Sequence, residues 1–297
     1  MTEAEEKMFA KINPEIFISS QVAQGLSVIG DRWAFLILRD IYLGLNRFDQ
    51  IRKSIDCSRG TLTSRLKSLL SNEILSKRPY QQTPPRFEYC LTEKGLSLYP
   101  IVLMMWKWDH DWAGHADLPQ TLTHNVWGNK MRPVYKCKSG GEELSAQQTR
   151  YSVSDQFDKI ERVPARSQRR TKSILEKQGA MTIHNMRVVD CVGDRWTSLV
   201  IAASFLGLRR FDEMANAIQV GTSVLTDRLS LLVQAGLMRR VSYQKTPLRY
   251  EYRLSAKGRD LFGHIIAIHE WAESWLIKRG NGLIKINHLP CGKPFRG

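Results

Sequence analysis

The feature that most constrains this chain is an internal repeat. Gly30-Asp31-Arg32-Trp33 returns as Gly193-Asp194-Arg195-Trp196, and the offset of 163 then holds without a gap for about 85 residues. Leu43-Gly44-Leu45 returns as Leu206-Gly207-Leu208, Arg47-Phe48-Asp49 as Arg210-Phe211-Asp212, and Arg65-Leu66 as Arg228-Leu229. Further on, Tyr80-Gln81 matches Tyr243-Gln244, Thr83-Pro84 matches Thr246-Pro247, and Trp108 and Trp112 match Trp271 and Trp275. About one position in three is identical, and most changes keep apolar character, so both copies must build the same core. A period this long with two copies means tandem domains rather than a solenoid. The boundaries read as a tail over 1–19, a domain over 20–116, an appendage and basic connector over 117–182, a second domain over 183–279 and a truncated extension over 280–297.

Periodicity within one copy predicts helices over about 18–29 and 32–43, meeting at Gly30-Asp31, and a short helix over 48–55. Ser58 then offers an N-cap, and Leu62, Leu66, Leu69 and Leu70 form one stripe on a helix of about 14 residues. Residues 74–80 and 86–91 read as strands around a Pro-Pro turn, and a long helix from about 93 to 113 closes the unit. Three helices followed by a hairpin is the order of a winged helix-turn-helix, in which the second helix of the pair enters the major groove. The expected class is therefore mainly α with small β-hairpin wings (α+β), present in tandem and joined by a small β-containing appendage and a basic connector.

Composition narrows the partner. The 297 residues carry 44 Lys and Arg against 29 Asp and Glu, a formal +15, with a pI near 9.7. The excess is spread: 13 bases against 9 acids in 20–116, 14 against 9 in 183–279, and 12 against 7 in 117–182. Such a balance favours an anionic partner. No stretch approaches ~18 apolar residues, which argues against a membrane span. The acidic start of the chain lacks the basic and apolar order of a secretory signal, and five widely spaced cysteines suit reduced thiols, so a cytoplasmic location is expected. No Ser-His-Asp order, paired carboxylates or Gly-rich phosphate loop stands in the chain, which leaves an enzyme reading without residues.

The residues make the fold reading more specific. Gly-Asp-Arg-Trp opening a helix, then Leu-Gly-Leu-x-Arg-Phe-Asp, then Tyr-Gln-x-Thr-Pro-x-Arg-x-Glu-Tyr-x-Leu, closely resembles the HxlR-type family of bacterial transcriptional regulators, here over about 20–115 and again over 183–279. That resemblance implies a DNA-binding regulator. Its members usually act as homodimers of single modules joined through terminal helices, so the implied partners are double-stranded DNA and either a second copy or, within one chain, an intramolecular pseudo-dimer, together with an effector of unknown identity.

On the first candidate recognition helix, Ser58, Arg59, Gly60, Thr61, Ser64, Lys67 and Ser68 lie away from the leucine stripe, with Arg65 at its flank. Arg and Lys suit phosphates or guanine edges, Ser and Thr suit either, and small residues let a helix sit deep. The second copy presents Thr222, Ser223, Val224, Asp227, Ser230 and Leu231, with Arg228 kept, a less basic face. An acid at the place of Asp227 is also common in proteins resembling the family. At the hairpin tips, Arg86 and Arg249, with Lys245, read as phosphate probes, the alternative for both arginines being ion pairs with Glu88 and Glu251. The leading reading is thus a regulator using two winged helices as a covalent pseudo-dimer. The alternative is a ligand-sensing or interaction protein in which only the first copy binds DNA and the second docks or dimerises.

Other residues carry less. The six tryptophans Trp33, Trp108, Trp112, Trp196, Trp271 and Trp275 are expected in core or interface packing. Some proteins resembling the family sense oxidants through a cysteine near the first helix, but those places hold Ser20 and Ile183, and Cys191 has apolar neighbours that point to burial. The extension after each copy echoes itself at His124 and His288, but Trp127 replaces a cysteine and Gly140 stands three residues after Cys137. No four-ligand metal site can be built from either copy alone, so no metal or cofactor is expected, with a combination of Cys137, Cys291 and histidines across copies as the minor alternative. The connector over 162–177, with Arg166, Arg169 and Arg170, either docks on DNA or leads into the second copy.

Overall fold

The computed structural model describes residues 13–113, 121–154, 187–277 and 281–295. The basic connector with Arg166, Arg169 and Arg170, and position 183, lie outside them. The chain is mainly helical with small antiparallel hairpins, and two compact units account for it. One, the first-repeat unit, comprises the described residues of Val28–Pro133 and Ser167–Asp194, and the other, the second-repeat unit, those of Met1–Ser27, Val134–Arg166 and Arg195–Gly297. No helix among the described residues is long and apolar enough to cross a membrane.

In chain order the first copy gives α1 (Pro14–Ile18), α2 (Gln21–Ile29), α3 (Arg32–Tyr42), α4 (Phe48–Ile55), α5 (Arg59–Ser71), strands β1 (Leu75–Gln81) and β2 (Arg86–Leu91), α6 (Glu93–Leu96) and α7 (Tyr99–Trp112). The expected helix over 48–55 and the strand over 86–91 are reproduced. The expected single helix over 93–113 is broken instead. Thr92 caps the short α6 by accepting from the Gly95 amide at 3.1 Å, and the chain restarts with Pro100 in the first turn of α7, where a missing N–H costs nothing. Gly95 cannot carry a side chain, because a Cβ there would lie 2.2 Å from the Ile74 carbonyl oxygen.

The appendage adds β3 (Leu122–Thr123), β4 (Lys130–Met131) and β5 (Thr149–Val153). The second copy follows with α8 (Arg187–Val192), α9 (Arg195–Phe205), α10 (Phe211–Ile218), α11 (Thr222–Gln234), β6 (Met238–Lys245), β7 (Leu248–Leu254), α12 (Ala256–Arg259) and α13 (Phe262–Trp275), then β8 (Ile284–His288) and β9 (Lys293–Pro294). Strands β5, β8 and β9 form one antiparallel sheet in that order, so segments from both extensions pair with each other.

Each unit is completed by the first helix of the other copy. In the first-repeat unit α8 packs on α3 and α7, burying Val188, Val189, Cys191 and Val192, and the Asp109 carboxylate of α7 accepts from the Val188 amide at 2.8 Å. In the second-repeat unit α1 packs on α10, and Gln21 of α2 exchanges hydrogen bonds with the Ile284 backbone, donating from Nε2 at 2.8 Å and accepting at 3.2 Å. A Cβ on Gly25 would lie 2.8 Å from Ile268 Cγ2 and 3.4 Å from the Ala272 Cβ of α13. Positions 25 and 188 are equivalent under the repeat, as are 109 and 272. The same helix crossing is therefore built twice, once as a glycine against alanine and once as a valine amide against an aspartate.

Because nothing near Gly25 is a loose side-chain end, Gly25→Val is expected to destabilise the chain by about 1–3 kcal/mol through overpacking, read as a lower denaturation midpoint in urea. Retention of the wild-type midpoint would mean that the contact yields without cost.

Candidate nucleic-acid interface

The loop before α3 and the candidate recognition helix α5 are tied together by charge. Asp31 caps α3, accepting from the Trp33 and Ala34 amides at 3.1 and 3.2 Å, and the Arg65 Nε lies 2.8 Å from the same oxygen. Burial pushes the Asp31 carboxyl above its ordinary value, while the Arg65 guanidinium and the two amides pull it back. Arg65 is thus half-buried and partly engaged within the protein, its remaining guanidinium nitrogens being what it can offer a ligand.

Helix α5 sits as the leucine stripe requires. Leu62, Leu66 and Leu69 are buried, while Arg59, Gly60, Thr63, Ser64 and Lys67 are exposed. Ser58 is the N-cap, its Oγ accepting from the Thr61 amide at 3.1 Å and lying 2.8 Å from the half-buried Thr61 hydroxyl. Arg59 stacks over Phe48 and lies 3.8 Å from Asp49, both charged side chains being about three-quarters exposed. An exposed pair at that separation holds weakly and is easily exchanged for a phosphate. Thr63 belongs to the same outward face, though its residue type singles it out less than the arginine and lysine beside it.

In the second copy, α11 buries Leu225, Leu229 and Leu232 and exposes Thr222, Ser223, Thr226, Asp227 and Ser230. Val224 and Leu231 are half-buried, so the outward face is more polar than the residue order alone implies. Arg228 is half-buried, as is Arg65. Gly221 replaces the Ser58 cap and offers no side-chain acceptor.

The wings repeat in detail. Each has a bulge at its tyrosine, between Pro79 and Gln81 in one hairpin and between Ser242 and Gln244 in the other. Tyr80 lies under the Arg47 guanidinium at 4.3 Å, and Tyr243 under Arg210 at 4.6 Å. Arg47 and Arg210 also bridge to Glu88 and Glu251 as a minimal third strand. These two exposed arginines, at the start of α4 and α10, fasten wing to helix pair and were not among the sequence-derived candidates. Their joint return with an aromatic partner was the available signal. Arg86 and Arg249 are exposed opposite Gln81 and Gln244, and Lys245 is exposed at the tip. The ion pairs considered for Arg86 and Arg249 are formed by others: Glu88 pairs with Arg78 at 2.5 Å and Glu251 with Arg253 at 2.5 Å.

Two polar helix faces, the first of them basic, each beside a wing with an exposed arginine, are what a winged helix presents to a duplex. The profile of the HxlR-like helix-turn-helix family matches residues 28–117 and 191–279, more than half of the chain. The chain belongs to that family. It is accordingly a DNA-binding regulator of the HxlR type. It is similar to the uncharacterised HTH-type transcriptional regulator Rv3095 of Mycobacterium tuberculosis, 39% identical over 107 residues, or 36% of this chain and 68% of the relative. It is also similar to the uncharacterised HTH-type transcriptional regulator YdeP of Bacillus subtilis, 31% identical over 102 residues, or 34% and 80%. Among solved structures the candidate transcription factor PA1607 shares 32% identity over 45% of this chain and 93% of its own, with a TM-score of 0.39.

Cys57 and Cys191 offer little to a sensor at the interface. Burial pushes the Cys57 thiol up, away from the reactive thiolate, and Cys191 is buried. A group able to hold a metal, Cys137, His288 and Cys291, is shared between the appendage and the second copy's extension.

Gly60 offers a clean probe of the face. A Cβ there would meet nothing closer than Ser58 Oγ at 4.0 Å. Gly60→Ala is therefore expected to raise stability by about 0.5–1 kcal/mol while weakening DNA binding, if the helix backbone approaches the duplex there. Denaturation and gel-shift titrations on the same sample read both effects, and a variant with unchanged affinity would show that the backbone stands off.

Proposed function

We propose that this chain reads double-stranded DNA with two unequal winged helices, the modules over 20–116 and 183–279, held as a covalent counterpart of a dimer. The observation that carries this reading is the exposed face of α5, with Arg59, Gly60, Ser64 and Lys67 clear of the buried leucines and Arg86 free on the wing beside it. Ser58 and Thr61 order the N-terminal turn, and Arg65 steadies the helix against Asp31 while keeping nitrogens for phosphate. The second module uses Thr222, Ser223 and Arg228 on α11, with Lys245 and Arg249 on its wing. The exchange of first helices supports the pseudo-dimer, because it ties residues of each copy into the core of the unit that holds the other.

In the alternative, only the first module binds DNA and the second docks or dimerises. The exposed Asp227 favours it, since an acid aimed at a duplex repels phosphates.

Replacing Arg59 or Lys67 by alanine is expected to lower operator affinity by about 1–3 kcal/mol for each base-contacting side chain lost. An equal loss on random DNA, with a smaller salt slope, would place these side chains on phosphates instead. Unchanged binding in a gel-shift titration would remove α5 from the reading role.

A symmetric dimer reads like half-sites about one DNA turn apart, ~34–36 Å. Here the two faces differ, so an asymmetric operator bound by a monomer near 34.2 kDa is expected. Light scattering and footprinting test this together. Twice that mass with a palindromic footprint would overturn the pseudo-dimer in favour of the alternative.

A further inference from the structure

Two tight turns face each other in the second-repeat unit, one in the appendage and one in the second copy's extension. The first runs from Cys137 to Gly141, whose amide donates to the Cys137 carbonyl at 2.7 Å. The second runs from His288 to Gly292, whose amide donates to the His288 carbonyl at 2.9 Å. Both end on a glycine in the left-handed region, with φ of 74° at Gly141 and 65° at Gly292. The turns therefore present corresponding pairs of positions, 137 with 140 and 288 with 291, toward a common point. Three of those positions hold ligand-type side chains and the fourth holds glycine.

Two of the three separations are close to those around one ion, and all three ligand atoms lie within 4.8 Å of one another. Cys137 Sγ lies 3.9 Å from Cys291 Sγ, and His288 Nδ1 lies 3.3 Å from Cys291 Sγ. With zinc bonds of about 2.3 Å to sulfur and 2.0–2.1 Å to nitrogen, a tetrahedron has edges of about 3.8 Å between sulfurs and about 3.6 Å between sulfur and nitrogen. His288 is fully buried, and its Nε2 makes no hydrogen bond but lies 4.0 Å from the Glu142 carboxylate. That is the arrangement of a ligating imidazole whose other nitrogen carries the proton toward a carboxylate. Leu144, Phe262 and Ile266 pack with Cys137 in one buried cluster, and Cys291 lies half-buried against it.

We propose that Cys137, His288 and Cys291 bind a zinc ion, two thiolates and an imidazole nitrogen, with the fourth position left to water beside Gly140. Binding releases the two thiol protons to solvent, with no change of oxidation state. A Cβ on Gly140 would lie 3.2 Å from His288 Nδ1 and 3.3 Å from the Cys291 Cβ, which places the missing fourth side chain at the site. In the first extension the places of His288 and Cys291 hold His124 and Trp127, whose rings stack at 4.4 Å. Tryptophan cannot ligate, so the first extension does not repeat this site among the described residues. The ion would clip the end of the second copy's extension to the appendage that follows the first.

The test uses the reduced full-length chain titrated with Zn²⁺ and, as a coloured substitute, Co²⁺. The expected result is one ion per chain, with a thiolate-to-cobalt charge-transfer band and the visible bands of tetrahedral cobalt. Cys137→Ser and Cys291→Ser should each abolish the signal, and Cys57→Ser should not. Gly140→Cys should complete the set, strengthening the charge-transfer band and slowing loss of the ion to a chelator. Should the serine variants fail to fold, mass mapping of alkylated wild-type protein decides, since Zn²⁺ is expected to protect Cys137 and Cys291 alone. Absence of one-to-one binding, cobalt bands that survive loss of both cysteines, or an unchanged Gly140→Cys spectrum would overturn the site.

Discussion

Each copy's first helix is buried against elements of the other copy, and this governs the rest. The described residues of α8 include four buried ones, Val188, Val189, Cys191 and Val192, which need an apolar surface. That surface is α3 and α7 of the other copy, while the start of the chain finds α10 and α13. The crossing point is the most constrained place in each unit. In one the backbones close up because Gly25 has no side chain and faces Ala272. In the other Val188 fills the space, and Asp109 offsets its own burial by accepting the Val188 amide. Two solutions to one steric problem, at equivalent positions, are what duplication followed by independent drift leaves behind.

The outward surfaces have drifted further because nothing inside depends on them. Helices α5 and α11 keep three leucines each on the buried side, and both wings keep the bulged tyrosine under an arginine. On the outward side, Arg59 and Lys67 correspond to Thr222 and Ser230, and Ser64 to Asp227. Duplication lifts the requirement that both faces match. A symmetric dimer cannot change one recognition helix without changing the other, whereas two copies in one chain are free to differ on their outward faces.

Much of this was legible before any packing was known, where the information was local. The leucine spacing of α5 and the Ser58 cap specify that helix, its length and its outward face. The break between α6 and α7 was harder to see, since apolar residues continue through it and only Thr92 and Pro100 mark the ends. The partial commitment of Arg65 was not legible, because its partner Asp31 is 34 residues earlier in the chain. The half-burial of Val224 and Leu231 likewise depends on neighbours from other elements rather than on position along the helix.

The sequence by itself determined the duplication, the order of helices and hairpins in each copy, the buried stripes and the basic character of the first recognition face. These follow from short-range periodicity, capping and side-chain chemistry, which act over one or two turns of chain. Tertiary structure alone decided that the copies trade first helices, that Glu88 and Glu251 pair with Arg78 and Arg253 rather than with Arg86 and Arg249, and that Cys137 meets His288 and Cys291 across about half the chain. Those outcomes depend on which surfaces exclude water together, and residues far apart in sequence acquire a common environment only when the core has closed around them.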